Sequence, residues 1–178
     1  MNQITKLILH LTFFALIIPL NLIGQEVHIK DSTKNKLTLA AREIIKASGT
    51  CALISLDEKS IPRVRIMDPF PPENDFTIWF GTKSESRKVH QIKNNPNVTL
   101  YYQDSDASGY VVIHGKAQIV EDEKIKQTKW KKEWEAFYPN KDSYVLIKVS
   151  PDWMEILSHS RGIVGDPVTW QTPIVRFD

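Results

Sequence analysis

Arg65, Thr82, Ser86, Arg87 and Lys88 are the residues of this chain whose types and spacing most readily suggest chemistry. Two guanidinium groups, an ammonium and two hydroxyls suit a phosphate monoester, because arginine can grip two oxygens at once while lysine adds a point charge. Thr82, Ser86, Arg87 and Lys88 also surround the predicted start of a helix, where unpaired backbone N–H groups and the helix dipole already favour an anion. The run Thr82-Lys-Ser-Glu85 has the spacing of a capping box, with the Thr82 hydroxyl taking a backbone N–H and Glu85 reaching back. It predicts a short helix through about Asn94 that buries Val89 and Ile92. No histidine pair stands at metal-ligand spacing, no Gly-x-Ser-x-Gly elbow occurs, and no paired carboxylates suggest a hydrolase. His90, His114 and His159 fall on different predicted elements and read as surface or hydrogen-bonded histidines.

These residues need a scaffold, and the periodicity supplies one. Leu37, Ala41, Ile44 and Ile45 recur at helical spacing within Asn35 to Ala47, and Ser48-Gly49 stops that helix. From Cys51 the period becomes that of strands: Cys51 to Leu56, Pro62 to Met67 and Phe76 to Thr82, separated by turn-rich breaks and expected to form an antiparallel meander. Asn97 to Gln103 and Tyr110 to Val120 are two more strands across a polar loop, and Gly115 marks a bend or a close approach. Glu121 to Tyr138 reads as one helix, with Trp130, Trp134, Phe137 and Tyr138 on a single face and Pro139 at its end. Tyr144 to Val149, Trp153 to Leu157 and Thr169 to Phe177 complete about seven or eight strands with three helices. The fold class is mostly β with flanking helices, a closed or partly open barrel in one domain.

Composition fits that reading. The chain has 178 residues, 42% hydrophobic and 25% charged, as expected for one globular core. Residues 1–24 carry Lys6, no acid, and an apolar run from Leu7 to Ile23 interrupted by His10, Thr12, Pro19 and Asn21. That pattern predicts a secretory signal peptide cleaved near Gly24, not a membrane anchor, and places a mature domain of residues 25–178 in the periplasm or outside the cell. Loss of Lys6 lowers the formal net charge of +2 by one, which suggests no polyanionic partner. Lysines 124, 126, 129, 131 and 132 interleave with Trp130 and Trp134, a pattern seen in single-stranded nucleic-acid binders. Here the tryptophans share an apolar face and glutamates balance the lysines, so a core contact beneath a solvated face is expected and no nucleic acid. Cys51, the only cysteine, lies in an apolar β-like run and reads as core. Trp79, Trp153 and Trp170 read as core or ligand-side packing.

The motifs Pro62-Arg-Val-Arg65, Trp79-Phe-Gly-Thr82, Ser86-Arg-Lys-Val-His-Gln-Ile-Lys-Asn-Asn-Pro-Asn-Val98 and His114-Gly-Lys-Ala117 follow one another in an order and spacing that resemble the pyridoxamine 5′-phosphate oxidase superfamily. The resemblance implies an FMN-binding split β-barrel that dimerises with itself and holds the flavin at the subunit interface. Arg65, Thr82 and Lys88 match phosphate-contact positions, with Arg87 beside them. Ile66, Met67 and the segment around Phe80-Gly81 match positions along the flavin, and Tyr110 falls where the oxidases carry a glutamine to the ring system. Two departures concern the substrate. Phe70 stands where the oxidases have a lysine, and the tail from Val168 to Phe177 lacks their Arg-Leu-x-x-Arg motif. Oxidation of vitamin B6 phosphates is therefore not expected; the chain is more similar to short, stress-protein-like members, grouped as oxidoreductases because they bind flavin. The hydride chemistry, on an unidentified small molecule, would belong to the flavin, and no side chain is assigned a catalytic role. A non-catalytic module of the same fold, carrying flavin or haem or acting as a dimeric interaction protein, is the alternative. A lipocalin-like barrel would leave the cationic cluster without a purpose.

Overall fold

The computed structural model describes residues 31–177, so the expected signal peptide lies outside the described residues. The first helix, α1 (Asp31–Ser48), buries Leu37, Ala41, Ile44 and Ile45, the residues its periodicity selects. The strands are β1 (Cys51–Leu56), β2 (Pro62–Met67), β3 (Ile78–Lys83), β4 (Asn97–Gln103), β5 (Gly109–Val120), β6 (Tyr144–Ser158) and β7 (Ile174–Arg176). Helix α2 (Arg87–Asn94) follows β3, and α3 (Glu123–Thr128) follows β5.

All seven strands form one antiparallel sheet in the order β2-β1-β4-β5-β6-β3, with β7 added to β6. The sheet curls around a core that includes Leu53, Phe80, Leu100, Ile113, Ile147, Met154 and Ile156, each fully buried. Cys51 joins that core, where burial pushes its thiol up to about 12. The two strands at the ends of the order, β2 and β3, pair only with β1 and β6 respectively. The barrel is split between them.

That pairing corrects the expected meander. Pro69, Pro71 and Pro72 follow β2 and lack the N–H groups needed to extend a ladder, so β3 is free to join β6. The two runs predicted within residues 144–157 form a single 15-residue strand. Its register shifts opposite His114/Gly115, where a side chain at Gly115 would begin 2.2 Å from the Ser150 carbonyl oxygen. Gly115 therefore does mark a close approach.

The long helix predicted over 121–138 is also corrected. Asp122 caps α3 by accepting from the Ile125 N–H, but the helix stops at Thr128 and the chain re-forms as a 3₁₀ turn over Lys132–Ala136. The break lets Trp130, Trp134 and Tyr138 gather around Tyr144 of β6, with ring centroids 5.2–5.9 Å from its ring. Such contacts contribute about 0.5–1.5 kcal/mol each, more than the few tenths per residue that helix propensity offers. Near the C-terminus only Ile174–Arg176 is strand. Asp166 Oδ1 accepts from the Val168 and Thr169 N–H groups and folds the preceding residues into a loop that leaves Trp170 83% exposed, contrary to its expected packing role.

Candidate anion and flavin cleft

The split between β2 and β3 opens as a cleft of about 570 Å³. Ile66, Met67 and Asp68 supply one wall; Gly81, Thr82 and Lys83 supply the other. The two chains converge at one end, where the Phe70 N–H donates to the Trp79 carbonyl at 2.8 Å. Because β2 and β3 are both sheet edges, their backbone groups facing the cleft can bond a flat polar ligand in place of a strand.

The phosphate-capable side chains meet where the edges diverge. Thr82 is buried in β3, and its Oγ1 accepts from Lys88 Nζ at 2.9 Å and lies 3.3 Å from Ser86 Oγ. Thr82 is thus a member of the nest and not the helix cap its spacing suggests. Ser86 takes the N-cap position of α2, and its hydroxyl turns toward Thr82 and leaves the helix end without a side-chain cap. Arg65 reaches the nest from behind. Its two terminal nitrogens donate to Ser55 Oγ at 2.7 Å and Gln91 Oε1 at 2.8 Å, while Ser55 Oγ donates to the same Gln91 oxygen at 2.7 Å. That triangle fixes the guanidinium and leaves donors unused.

The electrostatics of the cluster are those of like charges brought together. Among the described residues no carboxylate lies within 4.0 Å of Arg65, Arg87 or Lys88. Burial pushes the Lys88 ammonium below its ordinary pKa, and the neighbouring Arg65 adds to the effect. Arg65 is likewise lowered, first by burial and then by Arg87. Half-buried cations that repel one another without a counter-ion are a common signature of a functional site.

Five of the eight residues selected from sequence line this cleft: Ile66, Met67, Gly81, Thr82 and Lys88. Arg65 does not line it but is held beside it by Ser55 and Gln91, and Arg87 is exposed at the first residue of α2, close enough to Arg65 to lower its pKa. Within one chain Tyr110 does not reach it: β5 carries Tyr110 opposite Leu157, beside the Tyr101 ring at 5.8 Å, on the outer face of the sheet.

Sequence reasoning missed the third wall, made by Glu133, Trp134, Phe137 and Tyr138 around the 3₁₀ turn. Trp134 lies so close over β3 that a Cβ at Gly81 would sit 2.3 Å from its ring. Only glycine at position 81 admits that ring. Gln91 was also missed, although its place one helical turn beyond Arg87 puts it beside the nest.

The split β-barrel, with its cationic cluster at the gap between the edge strands, has the fold of known proteins. The family profile described as pyridoxamine 5′-phosphate oxidase like matches residues 37–164, and the chain belongs to that family. It is 28% identical over 106 residues to general stress protein 26 of Bacillus subtilis, covering 57% of this chain and 74% of that protein. The crystal structure of general stress protein 26 from Bacillus anthracis superposes with a TM-score of 0.60 at 26% identity, covering 81% of this chain and 98% of the other. A related protein from Clostridium acetobutylicum shares the fold with a TM-score of 0.66 at 18% identity, over 80% and 95% of the two chains.

Proposed function

We propose that this protein is an FMN-binding oxidoreductase that acts as a homodimer on a small molecule. The observation that carries the proposal is the carboxylate-free nest of Lys88, Thr82 and Ser86, backed by Arg65, at one end of an open cleft. When bound, FMN supplies reversible two-electron chemistry at its ring. The chain's residues do the rest. Lys88 and Arg65 hold the phosphate, Thr82 and Ser86 offer hydroxyl hydrogen bonds, and the free edges at Ile66, Met67 and Gly81 lie along the ring. Ile66 and Met67 also exclude water from one side of the cleft.

A second copy fits the outer sheet face. Val64 and Ile66 are 65% and 69% exposed there, in rows that continue through Ala52, Ile54, Tyr101 and Val112. Tyr110 lies on the same face, so a two-fold partner is the route by which it would reach the flavin. Export to the periplasm or beyond belongs to the same proposal and rests on the sequence of residues 1–24.

The test is to reconstitute the purified protein with FMN, reduce it with dithionite, and admit oxygen or a quinone while following the visible flavin spectrum. Bound flavin that reoxidises repeatedly supports the oxidoreductase. Bound flavin that stays inert leaves a carrier of the same fold. The haem variant of that second reading is disfavoured, because His114 is stacked on Trp153 at 3.8 Å and bonded to Thr99, away from the cleft.

A further inference from the structure

The third wall of the cleft has no part in holding a phosphate, and its side chains divide into two kinds. Trp134 and Tyr138 are architectural, because they pack on each other at 5.8 Å and both on Tyr144. Phe137 and Glu133 are not. Phe137 is 67% exposed, and no described aromatic ring packs on it. Glu133 is exposed and has no described cation within 4.0 Å, whereas the other acid lining the cleft, Asp68, is tied to Lys131 at 2.7 Å. The cleft is therefore polarised. Cations gather around Lys88, and the third wall carries one free carboxylate beside one free aromatic face.

We propose that Phe137 and Glu133 form the substrate-facing wall, and that it selects a planar heteroaromatic molecule that is neutral or positively charged. The proposal rests on the flavin reading, since it takes the cationic nest to be filled by the cofactor phosphate. With the nest neutralised, Lys83 on the β3 wall is the lining cation that remains, whereas an anion seated against the third wall meets the unpaired carboxylate of Glu133, so a phosphorylated or carboxylated substrate is disfavoured there. A flat cation gains both the Glu133 charge and the face of Phe137, whose ring quadrupole attracts positive charge. This agrees with the absence of the basic residues expected for vitamin B6 phosphates, as Phe70 and the tail from Val168 to Phe177 show.

The test compares two probes with one ring system and opposite charge, N-methylacridinium and acridine-9-carboxylate. Each is measured by equilibrium dialysis against the FMN-loaded protein at low salt. The cation is expected to bind at least about fivefold more tightly, the scale of one exposed charge contact at low ionic strength. Glu133→Gln should bring the two affinities together. Phe137→Ala should weaken both by about three- to tenfold, and neither substitution should change FMN affinity by more than about twofold. Equal binding of the probes by the native protein, or a preference that survives Glu133→Gln, overturns the proposal. So does a parallel loss of FMN affinity in Phe137→Ala, which would assign that ring to the flavin. Repeating the dialysis with inorganic phosphate in place of FMN separates the two readings. Absent FMN binding with the charge preference intact overturns only the flavin assignment, and FMN binding without the preference overturns only this one.

Discussion

Replacing Lys88 with methionine should weaken ligand binding without weakening the fold. In the free protein the ammonium donates to Thr82 at 2.9 Å, lies near the like charge of Arg65, and is half-buried with a lowered pKa. A cation lowered in the folded state opposes folding while it is charged, and that opposition fades as pH rises through the folded pKa toward the unfolded one. It is present in full below the folded pKa. Methionine retains most of the apolar stem and removes the charge, and Thr82 keeps Ser86 as a neighbour at 3.3 Å. The stability of ligand-free Lys88→Met should therefore equal or exceed that of the native protein. Against a bound phosphate the same ammonium faces an opposite charge. Two unit charges about 4 Å apart attract by about 4 kcal/mol at an effective dielectric near 20. Partial exposure reduces this to about 1–3 kcal/mol, the range for a charge-assisted hydrogen bond, or a rise of about 5- to 150-fold in the Kd for FMN. Fluorescence titration with FMN and urea denaturation without it give the two numbers. Unchanged FMN affinity, or a ligand-free variant less stable by more than about 1 kcal/mol, would refute the reasoning by making Lys88 structural. Arg65→Ala is a less clean probe, because it also frees Ser55 and Gln91.

Three further outcomes are expected. Gly81→Ala should destabilise by about 1–3 kcal/mol through overpacking against Trp134, and much less in a Trp134→Ala background; equal costs in both, measured by denaturation, would count against the contact. Cys51, with its thiol pushed up to about 12, should resist a thiol reagent at pH 8 in the native protein and react fully once denatured. His114 has its pKa lowered first by burial, with Glu155 opposing, so the unfolded chain takes up its proton before the folded one does. Stability should fall as pH drops from about 6.5, and His114→Gln should remove part of that fall; identical pH profiles by urea denaturation would exclude His114 as a source.

The strands β1, β2 and β4 were legible to the residue, β1 and β4 because buried side chains alternate with more exposed ones and β2 because turn-rich breaks bound it; α1, expected over 35–47 and found over Asp31–Ser48, was legible in type because its apolar stripe keeps helical spacing. That Arg65, Thr82, Ser86 and Lys88 come together could be anticipated because residue types able to bind an anion stand out in a sequence, whatever the fold. What local pattern could not carry was long-range choice. The i, i+4 spacing of Trp130, Trp134 and Tyr138 fits an α-helix, yet Tyr144 on a distant strand organises those rings and brings Phe137 and Glu133 to the cleft. Thr82-Lys-Ser-Glu85 fits a helix cap equally well, but pairing of β3 with β6 keeps Thr82 in the strand, buried against Lys88. The pairing of β3 with β6 and not β2, which creates the split, joins residues 61 to 71 positions apart, from Lys83 with Tyr144 to Ile78 with Val149, and has no local signature.

The central claim is that the nest between β2 and β3 holds the phosphate of FMN. Calorimetric titration of the purified protein with FMN and riboflavin in parallel tests it most directly, since the two ligands differ by that phosphate alone. The account predicts one FMN bound per chain, at least about a hundredfold more tightly than riboflavin, which corresponds to about 2.7 kcal/mol held by the phosphate contacts. Equal affinity for the two, or no binding of either, would contradict it.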